Sequence, residues 1–214
     1  MEKLKEYWDT RYRQGGTSGA GSYGVEAVTK ANLINTWIKQ YGIRTINEIG
    51  SGDGNNLLFY HVPISYTGYD LSSKAVELAN EKTRKIKNSL KYFFTNNYDD
   101  QNFDADLCLC LDVWYHEVED QDFEALCQTL FVKGKWKYII AYTTDTDIQV
   151  LADGTPLADH LKFRPFLDTV KEFPQWEVLS VVTGFNTSDG LPMLFPNGKK
   201  FFLLKRFVDV KNLS

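Results

Sequence analysis

A doubly wound α/β fold follows from three features of the 214-residue sequence. Short apolar runs alternate with amphipathic helical runs through residue 142. A glycine turn, "GSGDG", closes the first apolar run. A nearly continuous apolar run, "ADLCLCLDV", has the composition of a central parallel strand buried on both faces. Alternation of this kind joins parallel strands through crossover helices.

Each element has its own signal. Residues 25–41 place Ala27, Ala31, Ile34, Ile38 and Tyr41 at steps of four, three, four and three, which is one helical face. Gly42 follows as a C-terminal stop. "TINEI" and "YTGYD" read as the first two strands. "SKAVELANEKTRKI" sets Val76, Ala79, Thr83 and Ile86 on one helical face, with Ser72 or Ser73 as its cap. "LKYFF" is a third strand and "ADLCLCLDV" a fourth. "DQDFEALCQTLF" is a helix with Phe123, Leu126, Cys127 and Leu130 on one side, and "KYIIAYTT" a fifth strand. Pro165 can open a last helix, "PFLDTVKEF". "WEVLSVVTGF" and "KKFFLLKRF" are two further strands joined through turn residues and no helix, which predicts an antiparallel pair at the sheet edge.

Composition narrows the classes. With 43% hydrophobic residues the chain can bury a sizeable core. A net charge of −4 argues against nucleic acid as a partner, because non-specific phosphate binding needs a basic surface. The densest basic run, "EKTRKIKNSLK", follows an apolar helical pattern and reads as a solvated helix end. Cys108, Cys110 and Cys127 have no zinc-like spacing and read as small buried hydrophobes in a reducing, cytoplasmic setting. No metal site is read. "MEKLKEYWDT" lacks the apolar core of a secretory signal, and no apolar run approaches the ~18 residues of a membrane span. The oligomeric state has no signature.

The glycine turn carries the functional argument. Gly50, Gly52 and Gly54 make G-x-G-x-G, whereas a dinucleotide turn is G-x-G-x-x-G/A and position 55 is Asn. That spacing counts against a nicotinamide-dependent oxidoreductase. A tight turn with no ligand is the plain alternative. The acids nearby sharpen the choice. Glu48 precedes the turn, Asp53 lies in it, and Asp70 ends the next strand, where a carboxylate accepts from ribose hydroxyls. Carboxylates suit a pyrophosphate poorly and suit a cofactor with a cationic amino acid part.

"INEIGSGDG", "YTGYDLS" and "ADLCLCLDVWYHEVED" together resemble the successive motifs of class I S-adenosylmethionine-dependent methyltransferases. The late strand pair resembles the reversed seventh strand of that fold. The resemblance implies a Rossmann-like, doubly wound, mostly parallel seven-stranded sheet with a reversed late strand. It implies S-adenosylmethionine as cofactor and one domain over residues 25–214. It also implies that Gly50, Ser51, Gly52, Asp53 and Gly54 admit the methionine and ribose parts, with Asp70 on the ribose hydroxyls and Leu71 on the adenine. Asn96 or Asn97 would lie beside the adenine, where an Asp is commoner. Asp112 and Val113 would lie near the methionine amino group and the reacting methyl. For each acid the alternative is a loop-capping carboxylate.

Residues 1–24 hold five glycines between positions 15 and 24, with Trp8, Tyr12 and Tyr23 interleaved. A flexible arm is one reading. A lid is the other, since the "YW…RY" start resembles arms that fold over the cofactor in this family, and aromatic faces attract a sulfonium cation. After the fourth strand, Trp114, Tyr115 and His116 stand where nucleic-acid amino-methylating enzymes carry prolines and cytosine-C5 enzymes a Pro-Cys nucleophile. His116 is a candidate general base, with Asp112 as its catalytic neighbour, and a structural histidine is the alternative. His160 and Arg164 precede the last helix, where an Arg could meet a phosphate or carboxylate or make a surface ion pair. Tyr23, Tyr115, His160 and Arg164 are thus the substrate-side candidates. The expected reaction is methyl transfer to an oxygen or nitrogen of a small polar substrate. A sugar or nucleotide-linked sugar is favoured by resemblance to bacterial and viral methyltransferases of unassigned substrate, some encoded beside sugar-processing enzymes. The rivals are a nucleic-acid or protein methyltransferase and a non-catalytic S-adenosylmethionine-binding domain.

Overall fold

The computed structural model describes residues 2–60, 65–84, 86, 92–96, 103–151, 153–186 and 192–207. Strands β1 (Thr45–Ile49), β2 (Ser65–Tyr69), β3 (Tyr92–Thr95), β4 (Leu107–Leu111) and β5 (Tyr138–Thr143) are mutually parallel. β6 (Trp176–Val182) and β9 (Lys200–Arg206) complete a seven-stranded sheet of order β3-β2-β1-β4-β5-β9-β6. β9 runs antiparallel to both β5 and β6. It is the reversed late strand, and β6 is the edge. Helices α1 (Glu2–Arg13), α2 (Gly24–Gln40), α3 (Ser73–Thr83), α4 (Asp120–Cys127) and α5 (Phe166–Lys171) accompany the sheet.

The core forms in two layers, one on each face of the sheet. Alternation along β9 sends Phe201 and Leu203 to one face and Phe202 and Leu204 to the other, all at most 1% exposed. Ile34, Trp37 and Ile38 of α2 join the first layer. Phe131, Phe166 and Trp176 join the second. β4 is buried at every residue. Its Cys108 and Cys110 point to the second face, share that layer with Cys127, and all three are free thiols.

Several boundaries differ from the sequence reading, each for a local reason. The N-terminal segment begins with a helix, α1, where only an arm or lid was read. Leu4, Trp8 and Tyr12 recur at a helical step of four, a stripe overshadowed by the glycines that follow it. Gly15, at φ 80°, ends α1: its N–H and that of Gly16 donate to Tyr12 and Arg11 carbonyls at 3.1 and 2.9 Å. α3 is capped by Ser72, whose Oγ accepts from the Ala75 N–H, and stops at Thr83 before Ile86. α4 passes at Gln128 into a π-helical turn that ends at Lys133. The segment between β6 and β9 holds a small antiparallel ribbon, β7 (Gly184–Asn186) with β8 (Pro192–Leu194). Among the described residues no helix is long and apolar enough to cross a membrane, and no group of three or more His, Cys, Asp or Glu could hold a metal ion.

Candidate functional site

β1 is hydrogen-bonded to β2 on one side and β4 on the other, so the chain leaves the sheet in opposite directions at its carboxyl end. A crevice opens there, as in other doubly wound sheets. The turn after β1 is tied down first. The Gly50 and Ser51 N–H groups donate to the Tyr69 carbonyl at 2.8 and 3.0 Å. Gly50 and Gly52 are left-handed, at φ 69° and 57°. A Cβ at Gly50 would collide with Val113, and one at Gly52 with Ser18. Both positions therefore need glycine for conformation and for space.

A cavity of about 580 Å³ occupies the crevice. Gly50, Gly52, Asp70, Leu71, Asp112 and Val113 line it from the strand ends, with His116 from the turn after β4 and Trp8 and Tyr12 from α1. Asp70 accepts from the Gly52 and Ser72 N–H groups, both at 2.8 Å. Burial, with Asp9 and Asp53 nearby, pushes its carboxyl up to about 6 against those two donors. It is still ionised at neutral pH.

The other predicted residues lie behind this lining. Ser51 is buried within the turn, and Gly54 packs against Ala79 and Phe94. Asp53 faces the N-terminal segment. It accepts from Ser18 Oγ at 2.8 Å and from Tyr23 Oη, and Lys82 Nζ lies 3.0 Å away. Burial opposes its ionisation, but these donors hold the carboxyl below the usual range. Asn96 is exposed and donates to Ser73 Oγ at 2.6 Å. Asn97 lies outside the described residues.

On the substrate side the predicted residues divide. Tyr115 donates to Asp112 Oδ1 at 2.6 Å. His116 packs among the rings of Trp8, Tyr115 and His160, with centroids 5.2, 4.8 and 5.6 Å away. Its Nδ1 is 3.2 Å from the His160 carbonyl oxygen. A carbonyl can only accept, so Nδ1 carries the proton and Nε2 is left as the acceptor. Burial and the neighbouring His160 push the imidazole down to about 4 despite that hydrogen bond. His160 stacks on Tyr7 on its other side, at 4.8 Å. Arg164 is buried, not surface-exposed. Its guanidinium donates to the Glu117 and Val118 carbonyls and to Asp120, and lies 4.1 Å from the Phe123 ring centroid. In this arrangement its donors are directed into the loop after β4, and Arg164 does not line the cavity.

Sequence reasoning missed other residues here. Leu4, Ser18, Ser22 and Phe103 line the cavity. Lys30 and Lys199 donate to Asp112 at 2.7 and 2.9 Å. Lys30 had a readable signal, a lysine among Ala27, Ala31 and Ile34 on the buried face of α2. Lys199, in a turn before an apolar strand, had none.

The sequence matches no protein-family model and no curated protein. Solved structures do match. A magnesium protoporphyrin IX methyltransferase from Synechocystis with bound S-adenosylhomocysteine is 14% identical, with a TM-score of 0.66 over 96% of this chain and 99% of that one. The chain has the class I methyltransferase fold. An S-adenosylmethionine-dependent methyltransferase from Clostridium acetobutylicum is 12% identical, with a TM-score of 0.59 over 97% and 99% of the two chains. The mitomycin 7-O-methyltransferase is 14% identical, with a TM-score of 0.59 over 85% of this chain and 54% of that one.

The depressed His116 predicts a pH effect on stability. Its folded value of about 4 lies below the ordinary 6.5, so the unfolded chain takes the proton first. Its effect is absent above pH 6.5 and destabilises progressively as pH falls to about 4. Asp70 and Glu48, raised to about 6 and 7, act in the opposite sense, and a variant comparison cancels them. Urea unfolding of wild type and His116→Gln across that range should show the steeper acid loss in wild type. Parallel slopes would remove the assignment.

Proposed function

We propose that the cavity binds S-adenosylmethionine and that the chain transfers its methyl group to an oxygen or nitrogen of a small polar acceptor. The observation that carries this reading is the glycine turn at Gly50 and Gly52 with Asp70 facing one shared cavity at the β1 and β4 ends. A volume of about 580 Å³ suits a nucleoside-sized ligand. The residues fit the group chemically. The glycine turn would admit the ribose and methionine parts, Asp70 would accept from the ribose hydroxyls, and Leu71 and Phe103 offer apolar walls to the adenine. Trp8 and Tyr12 offer aromatic faces to a cation. When bound, the cofactor supplies an electrophilic methyl on a sulfonium.

The chain's own part is alignment and exclusion of water. Residues 1–24 act as a lid on the domain formed by 25–214, latched through Ser18 and Tyr23 to Asp53. Alignment of nucleophile, methyl and leaving group carries most of such a reaction. His116 would take the acceptor proton at Nε2. With a conjugate acid near 4 it is a weak base, so its share of the rate lies at the low end for a general base. A small acceptor agrees with the acidic chain and with a site walled by its own N-terminal segment. The choice of a sugar or sugar nucleotide rests on the resemblance of "DVWYHEVED" and the segments around it. The free thiols of Cys108, Cys110 and Cys127 suit the reducing cytoplasm.

Calorimetry tests the cofactor. Wild type should bind S-adenosylhomocysteine, and Asp70→Ala should bind it ~1.5–3 kcal/mol more weakly through the lost charged hydrogen bonds. Binding of NAD in place of S-adenosylhomocysteine would overturn the assignment. Turnover tests the base. His116→Asn should keep cofactor affinity and lower the rate ~10²-fold, the low end for general-base catalysis. Wild-type activity should fall as pH drops through about 4, where the imidazole becomes charged. Normal turnover by His116→Asn would leave alignment as the whole account.

A further inference from the structure

One buried ionic cluster, joined to the cavity wall through Asp112, has no task in the transfer described above. Lys30 reaches Asp112 Oδ2 at 2.7 Å from the buried face of α2, and is itself 1% exposed. Lys199 reaches Asp112 Oδ1 at 2.9 Å from the turn before β9, and is 8% exposed. Tyr115 donates to the same Oδ1. Lys199 also donates to Glu26 at 2.9 Å, and Glu26 accepts from Tyr142 Oη at 3.1 Å. Both ammonium groups lie over the Tyr142 ring, 5.1 and 4.9 Å from its centroid. Two lysines and two carboxylates leave the cluster neutral.

Stability alone does not account for such a group. Burying ions costs desolvation that can exceed their attraction, and an apolar cluster of the same shape often holds a fold as well. Asp112 also sits in the left-handed region at φ 61°, one of two described non-glycine residues to do so. Strained residues of this kind persist where their surroundings over-determine them. The Asp112 N–H is fixed as well, donating to the Tyr142 carbonyl at 2.9 Å. The N-terminal segment then passes directly over the carboxylate. A Cβ at Gly21 would fall 2.5 Å from Asp112 Oδ2 and 3.4 Å from Lys30 Nζ.

We propose that Lys30 and Lys199 are positioning residues that act through Asp112: they fix its carboxylate as the seat on which residues 18–23 close over the cavity. Calling that closure part of a methyl-transfer site rests on the function proposed above. The charged and titratable groups facing Asp112 are Lys30 and Glu26 from α2, Lys199, Tyr115 and His116 after β4, and Tyr142 from β5. Burial opposes ionisation of Asp112, and the two lysines outweigh it, so the carboxyl is held well below the usual range.

A double-mutant cycle on amide exchange of the full chain, read without cofactor, tests this. Lys30→Met keeps the side-chain length and removes the charge. It should speed exchange across residues 18–23 about tenfold relative to β4 amides, the effect of losing a charged hydrogen bond under a closed segment. In an Asp112→Asn background the same change should add less than about twofold, because its effect runs through the missing carboxylate. Lys199→Arg should leave exchange near wild type. Equal acceleration in both backgrounds, no acceleration, or acceleration spread evenly through β4 would overturn the proposal. Lys199→Met, at the rim, carries the same cycle if Lys30→Met does not fold. Calorimetry of wild type with S-adenosylhomocysteine runs beside it. Failure to bind there overturns the methyltransferase reading alone, since the exchange cycle needs no ligand.

Discussion

The site depends on one constraint, the double pairing of β1. Ile49 is in register with Tyr69 of β2 and with Cys110 of β4, so three strands end at one level. The chain must leave this level on opposite faces, and a crevice results. Everything chemical hangs from those ends. The turn beginning at Gly50 is bonded to Tyr69, Asp70 follows β2, and Asp112 follows β4 with its N–H on Tyr142. Each group is pinned to the strand beside its own. The sheet therefore sets their separations before any side chain contributes.

The electrostatics of the crevice follow from who donates to each carboxylate. Among the described residues Asp70 has only backbone donors, and it stays raised by burial. Asp53 and Asp112 each have an ammonium at hydrogen-bonding distance and are lowered. The one carboxylate among them without a lysine partner at that distance is thus the one that ends β2 and faces the cavity beside Leu71. Buried acid around a glycine turn suits hydroxyl donors and a cationic group, and opposes a pyrophosphate. His116, neutral and partnered through Nδ1, adds no positive charge to that space at neutral pH.

Much of the architecture could be read from local pattern. β4 announces itself by being apolar at every position, and the G-x-G-x-G turn by its spacing after "TINEI". Asp70 was legible because a strand end followed by a capped helix fixes where its carboxylate sits. The remainder was hidden where pattern is masked or contacts are long-range. The Leu4, Trp8, Tyr12 stripe of α1 lies beside a glycine run that suggested an arm with no helix. Lys30 and Lys199 meet Asp112 across 82 and 87 residues, and no spacing rule links such positions. Arg164 read either as an anion ligand before a helix or as half of a surface ion pair; α5 is only six residues long, and the guanidinium, itself buried, pairs with exposed Asp120 and turns into the loop after β4.

Transfer of label from methyl-labelled S-adenosylmethionine tests the central claim most directly. The wild-type chain would be incubated with a panel holding sugars, sugar nucleotides, a mixed RNA and unfolded protein. The account predicts label in a small polar acceptor from the first two classes, none in RNA or protein, and stoichiometric S-adenosylhomocysteine. Label in RNA or protein, or cofactor bound with no label transferred to any acceptor, would contradict it.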